Sequence, residues 1–106
     1  MSTIGFWQMA GAFGFLYVEP QRLTFEYDGT PLIPLSGSIT INSSANWSIS
    51  LMPTWMDVSA TSGGAGVTIV HIYPQPNMET SQRNGSFTVS NGSNIVLVYI
   101  TQYGIV

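Results

Sequence analysis

Residues 85–102 read GSFTVSNGSNIVLVYITQ, and how this stretch is read decides the fold. Phe87 and Val89 alternate with Thr88 and Ser90. Beyond SNGSN (90–94), Val96, Val98 and Ile100 alternate with Leu97, Tyr99 and Thr101. Successive side chains of a strand point to opposite faces, so a period of two sends one set inward and the other outward. Asn91-Gly92 between two such runs is a hairpin signal, because both residues accept the backbone torsions of tight turns. The stretch predicts an antiparallel hairpin with Phe87, Val89, Val96, Val98 and Ile100 inside and Leu97, Tyr99 and Tyr103 outside.

The same period recurs upstream. RLTFEYDG (22–29) aligns Leu23, Phe25 and Tyr27; SGSITINSS (36–44) aligns Ile39 and Ile41. NWSISL (46–51) aligns Trp47, Ile49 and Leu51, which makes Trp47 a core residue. WMDVSA (55–60) aligns Met56, Val58 and Ala60 and leaves Trp55 on the opposite parity, partly exposed at a strand start. VTIVHIY (67–73) is nearly continuous, the pattern of a strand buried on both faces. Asp28-Gly29, Gly63-Gly64, Asn84-Gly85 and Asn91-Gly92 read as turns, and all six prolines fall between runs. The expected fold is all-β: an immunoglobulin-like antiparallel β-sandwich of seven to eight strands over residues 17–106, preceded by an apolar N-terminal arm, residues 1–16.

That arm is MSTIGFWQMAGAFGFL, and no charged side chain appears before Glu19. It lacks the basic start of a signal peptide. Gln8 and the glycines at 5, 11 and 14 break the roughly 20 apolar residues a membrane-spanning helix needs. Phe6, Trp7, Met9, Phe13 and Phe15 are therefore read as anchors, buried in a homo-oligomer or against another protein. Charged residues make up 7% of the chain, against roughly 25% in ordinary domains, so solubility from surface charge is slight and an assembled setting fits. Two arginines, no lysine and a net charge of -3 exclude a basic patch for nucleic acid and disfavour an anionic membrane surface. There is no cysteine for a disulfide.

From Tyr17 to Gly104 the chain resembles the BACON family, the Bacteroidetes-associated carbohydrate-binding domain that is often N-terminal. The resemblance rests on YVEPQRLTFEYDG (17–29), INSSANWSIS (41–50), TWMDVSATSGGAG (54–66), and the pair PQPNMETSQRNGSFTVSNG (74–92) and VYITQYG (98–104). Asn77, Arg83-Asn84-Gly85 and Gln102-x-Gly104 fall at family-like spacing. The resemblance implies an immunoglobulin-like sandwich and a link to carbohydrate. With its own methionine, no secretion signal and an end soon after Gly104, the chain is expected to be a stand-alone BACON domain from a phage of gut Bacteroidetes.

Catalytic chemistry finds little footing. His71 is the single histidine and sits inside a predicted strand, and no metal or cofactor site is expected. Glu19, Glu26 and Asp28 are strand and turn acids, with weak calcium binding as the alternative. No nucleophile motif or phosphate loop is present. NWS (46–48) and NGS (84–86) match glycosylation sequons but are accounted for by turns. Glycan binding needs exposed aromatic faces beside hydrogen-bonding groups; Trp55, Tyr99 and Tyr103 are the candidates. The expected function is a non-enzymatic phage virion surface protein, a head fibre or decoration, anchored to capsid proteins by its arm and presenting the sandwich to glycans or mucus. The alternative is a bacterial carbohydrate-binding or spacer module at the cell surface or in the periplasm.

Overall fold

Because each alternating run carries one apolar side, the strands are stable only when two sheets bring those sides together. The computed structural model describes residues 14–32 and 37–105. Among them are nine strands and no helix: β1 (Leu16–Glu19), β2 (Arg22–Phe25), β3 (Ser38–Ser43), β4 (Trp47–Ser50), β5 (Met56–Val58), β6 (Ser62–Gly63), β7 (Gly66–Pro74), β8 (Arg83–Ser90) and β9 (Ile95–Gln102). One sheet has the order β1-β3-β7-β5, the other β2-β9-β8-β4-β6. This is the expected immunoglobulin-like sandwich, with β5 in the run read at 55–60 and β6, at Ser62–Gly63, announced by no alternating run.

The 85–102 stretch forms the hairpin. Ser90 faces Ile95, Phe87 faces Val98, and Arg83 faces Gln102. Asn91 closes the turn twice: its N–H donates to the Asn94 carbonyl at 3.1 Å, and its Oδ1 accepts the Asn94 N–H at 3.0 Å. Gly92 has φ 101°, a left-handed torsion that glycine adopts without steric cost. Phe87, Val89, Val98 and Ile100 are buried, joined in the core by Phe25, Ile39, Ile41, Trp47, Val70 and Ile72.

Four local expectations change. The sandwich is not wholly antiparallel: β2 runs parallel to β9, with Leu23 opposite Ile100. Between β1 and β2 the chain passes from one sheet to the other through a cis Glu19–Pro20 peptide. Asn84-Gly85 is not a turn but lies inside β8. A Cβ on Gly85 would stand 2.7 Å from Pro53 and 2.8 Å from the Trp55 ring, so the glycine serves close packing. Gly63 is likewise in a strand, pressed on Trp47. Finally, β7 is not buried on both faces. Val70 and Ile72 are inside, whereas Val67, Ile69 and Tyr73 are 54–67% exposed, because no described residue covers the outer side of this sheet.

Candidate functional site

The outer face of the five-stranded sheet is built by parity. On β9 the residues alternating with the core are Ile95, Leu97, Tyr99 and Thr101, and Tyr103 follows with its N–H donated to the Phe25 carbonyl at 2.9 Å. Leu97, Tyr99 and Tyr103 are 44, 41 and 39% exposed, and Ile95 is more exposed still. Register supplies their neighbours. Tyr99 lies between Arg22 of β2 and Ser86 of β8; Leu97 faces Thr88, which faces Ser50. Thr101 lies between Thr24 and Asn84 and donates its hydroxyl to Asn84 Oδ1 at 2.9 Å.

Arg22 holds Tyr99 in place, its guanidinium carbon 4.8 Å from the ring centroid, a cation–π contact. The result is a flat face with an apolar and aromatic column down β9, flanked on β8 by hydroxyl and amide groups. Such a surface offers a sugar ring a C–H stacking partner together with short polar side chains for its hydroxyls.

Trp55 stands elsewhere. It lies in the turn before β5, half-buried, and its contacts are with the inward side of β8 through Gly85. The Arg83 guanidinium carbon sits 4.3 Å from its ring centroid. Arg83 is fixed in turn: Nε donates to Gln102 Oε1 at 2.9 Å, and Nη2 donates to the Gln75 carbonyl at 2.7 Å. The structure thus groups Tyr99 with Tyr103 along one column and separates Trp55 from both. Of the predicted anchors, Phe6, Trp7, Met9 and Phe13 lie outside the described residues. Phe15 lies just before β1, 37% exposed and stacked on Tyr17 with ring centroids 5.3 Å apart.

Asn77, Gln102 and Gly104, three of the residues at family-like spacing, lie about the loop that precedes β8. Gln102, fully buried, shares its amide hydrogens among the carbonyls of Glu26, Tyr27 and Gln75 at 3.0–3.2 Å. Asn77, also buried, donates to the carbonyls of Ser81 and Tyr103 and accepts the Glu79 N–H. Gly104 packs against the Thr80 backbone, where a Cβ would stand 2.5 Å from the carbonyl carbon and oxygen. These residues satisfy a loop that would otherwise bury unpaired backbone groups.

Charged chemistry is sparse. Glu19, Asp28, Asp57 and Glu79 are exposed and Glu26 is half-buried. Asp28 Oδ1 accepts the Thr30 N–H at 3.0 Å, and this bond holds its carboxyl below the ordinary value. Among the described residues no three His, Cys, Asp or Glu side chains converge as metal ligands. His71 is exposed on β7 and stacks on Tyr73, centroids 6.3 Å apart. These two, with Gly29, Pro31, Gly37, Ser38 and Ile72, line an open cleft of about 430 Å³ that includes none of the predicted glycan residues. Among the described residues no helix is long and apolar enough to cross a membrane.

Compared with protein families and with curated proteins, the chain shows no match. Among solved structures it is similar to a GH5 xyloglucanase of Bacteroides ovatus in complex with a XXXG heptasaccharide. The TM-score is 0.72 at 26% sequence identity, over 86% of this chain and 19% of that one. The chain therefore spans about a fifth of that enzyme's length.

Proposed function

We propose that the chain is a non-enzymatic structural and adhesion protein. Its BACON-like sandwich presents the outer face of β9 and β8 to glycans, and its N-terminal segment holds it in a larger assembly, the surface of a phage particle. The observation that carries the glycan reading is the column Leu97, Tyr99 and Tyr103, exposed beside hydroxyl and amide side chains. The likeness to a domain-sized part of a xyloglucan hydrolase supports it. The carboxylates favour binding over hydrolysis. A glycosidase sets a pair of carboxyl groups about the scissile bond, one of them in an apolar site; here Glu19, Asp28, Asp57 and Glu79 are exposed, Glu26 is half-buried, and the Asp28 carboxyl is held below its ordinary value rather than raised. The uncharged, aromatic run before Glu19 supports the assembly reading.

The test is calorimetric titration of the full chain with xyloglucan oligosaccharides and mucin glycans. Tyr99→Ala is expected to weaken binding about tenfold, the loss of one stacking contact worth ~1.4 kcal/mol, with the melting temperature nearly unchanged. Trp55→Ala is expected to lower the melting temperature instead, because its ring packs on Arg83 and Gly85. Glycan affinity that is identical in native chain and Tyr99→Ala would remove the β9 face from the reading. A second reading, a bacterial spacer module, is favoured by the match to part of a bacterial enzyme, and it predicts no binding to any glycan of the panel.

A further inference from the structure

Leu51 follows the last residue of β4 and has φ 62°, in the left-handed region. It is the one non-glycine residue with a positive φ among the described residues. That region crowds Cβ against the following carbonyl oxygen, so glycine takes it routinely, asparagine and aspartate occasionally, and leucine rarely. Alternation along 47–51 would send Leu51 inward with Trp47 and Ile49, both of which are buried. Instead it is 81% exposed, more than any other large apolar side chain described. The torsion breaks the alternation: Leu51 is turned out of the core, and Met52 after it packs against the core. A single exposed leucine is ordinary on a protein surface. A leucine exposed by a backbone conformation that disfavours it is different, because glycine would hold the same bend without the steric cost. Outliers of this kind mark side chains retained for something other than stability.

The register of the five-stranded sheet places Leu51 at the border of the candidate glycan face. Ser50, directly before it, is exposed and faces Thr88, which faces Leu97. Leu51 thus adjoins the β4 end of the cross-strand row whose β9 end is Leu97, one alternation from Tyr99. β4 and β9 are two strand spacings apart, ~10 Å. The side chains between them on this face, Ser50, Ser86 and Thr88, are short, uncharged and hydroxylated.

We propose that Leu51 is a second apolar contact for a neutral glycan chain that crosses the sheet, from Tyr99 and Leu97 on β9, over Thr88 on β8, to the end of β4. The inference rests on the glycan reading of this face and adds the extent of the ligand. Apolar contacts about two strand spacings apart are too far separated for one sugar ring to meet both. The ligand is therefore several sugar units bound along their length, not a single sugar or a chain end. Ring faces lie on Tyr99 and Leu51, and the hydroxyls of Ser50 and Thr88 serve the units between them.

Calorimetric titration with the xyloglucan heptasaccharide, paired with thermal unfolding, tests this on the full-length native chain and on Leu51→Gly, Leu51→Met and Tyr99→Ala. Leu51→Gly is expected to bind about fivefold more weakly, through loss of a partly buried leucine contact. It is expected to melt no lower than the native chain, because glycine relieves the torsion and little buried surface is lost. Leu51→Met keeps an apolar side chain and is expected to stay within about twofold of native affinity. Affinity lost without stability is a result that a merely structural leucine would not give. If Leu51→Gly binds as the native chain does while Tyr99→Ala is weakened, the inference falls and the β9 reading stands. If Leu51→Gly is weakened and Tyr99→Ala is not, no chain spans the two and the inference falls. A lowered melting temperature in Leu51→Gly also overturns it, since the leucine is then needed for the fold. A native chain that does not bind the heptasaccharide overturns the inference; if mucin glycans also fail to bind, the glycan reading falls with it.

Discussion

Replacing Gln102 with leucine is expected to lower stability by about 2–4 kcal/mol, a fall of roughly 10–20 °C in melting temperature for a domain this small. Leucine matches the side chain closely in size, so the loss reports the amide rather than a cavity. The magnitude follows from counting partners. The carbonyls of Glu26, Tyr27 and Gln75 each keep a second donor: Gly29 N–H at 3.0 Å, Asn77 N–H at 2.7 Å and Arg83 Nη2 at 2.7 Å. None is orphaned, and the cost on that side is about 1–2 kcal/mol for weakened bonds. Arg83 is affected as well, since its half-buried guanidinium loses the charge-assisted bond from Nε to the Gln102 oxygen at 2.9 Å. Chemical denaturation of the native and Gln102→Leu chains checks this. A loss below about 0.5 kcal/mol would mean that these bonds are exchanged for water without penalty.

The Gln102 site also shows what could be read from the chain and what could not. Alternation along 95–102 places Gln102 inward with Val98 and Ile100, so its burial was legible. The carbonyls that receive its amide hydrogens lie 27, 75 and 76 residues away, and no local pattern announces them. The hairpin was legible for the opposite reason: its turn chemistry and both its strands lie within twenty residues. Asn84-Gly85 misled because a glycine serving a turn and one making room for Trp55 look alike until the packing partner is known. The 67–73 run misled because apolar composition does not tell which side chains meet the core: Val70 and Ile72 do, while Val67, Ile69 and Tyr73 stand exposed. At the candidate glycan face, the outward parity of Leu97, Tyr99 and Tyr103 was visible, but the contribution of Arg22 was not. It depends on β2 lying parallel to β9, a pairing between segments far apart in the sequence. Trp55 shared with the tyrosines only its aromatic character, and its place beside Arg83 required the fold.

Trp47→Ala is expected to cost about 3–5 kcal/mol, a large part of the roughly 5–15 kcal/mol that holds a domain of this kind together. The side chain is 2% exposed, and two things depend on it. It fills the core beside Ile49 on β4, and its ring is the seat on which the edge strand β6 rests, with Gly63 directly opposite. A Cβ on Gly63 would stand 2.5–2.8 Å from three atoms of the indole, so the two surfaces are already in full contact. Trp47→Phe tests a finer point. The buried Nε1–H of Trp47 has no acceptor among the described residues, an arrangement that costs about 1–3 kcal/mol. Phenylalanine removes that group along with part of the ring, and the two effects oppose each other. Trp47→Phe is therefore expected within about 1 kcal/mol of the native chain, although it takes part of the indole ring system out of a packed core. Urea denaturation followed by circular dichroism separates the cases. If phenylalanine costs nearly as much as alanine, the indole N–H is satisfied in solution and the ring alone accounts for the stability. If phenylalanine is nearly neutral, tryptophan is held here at the expense of an unpaired donor, for the area it offers to Gly63 and the short edge strand.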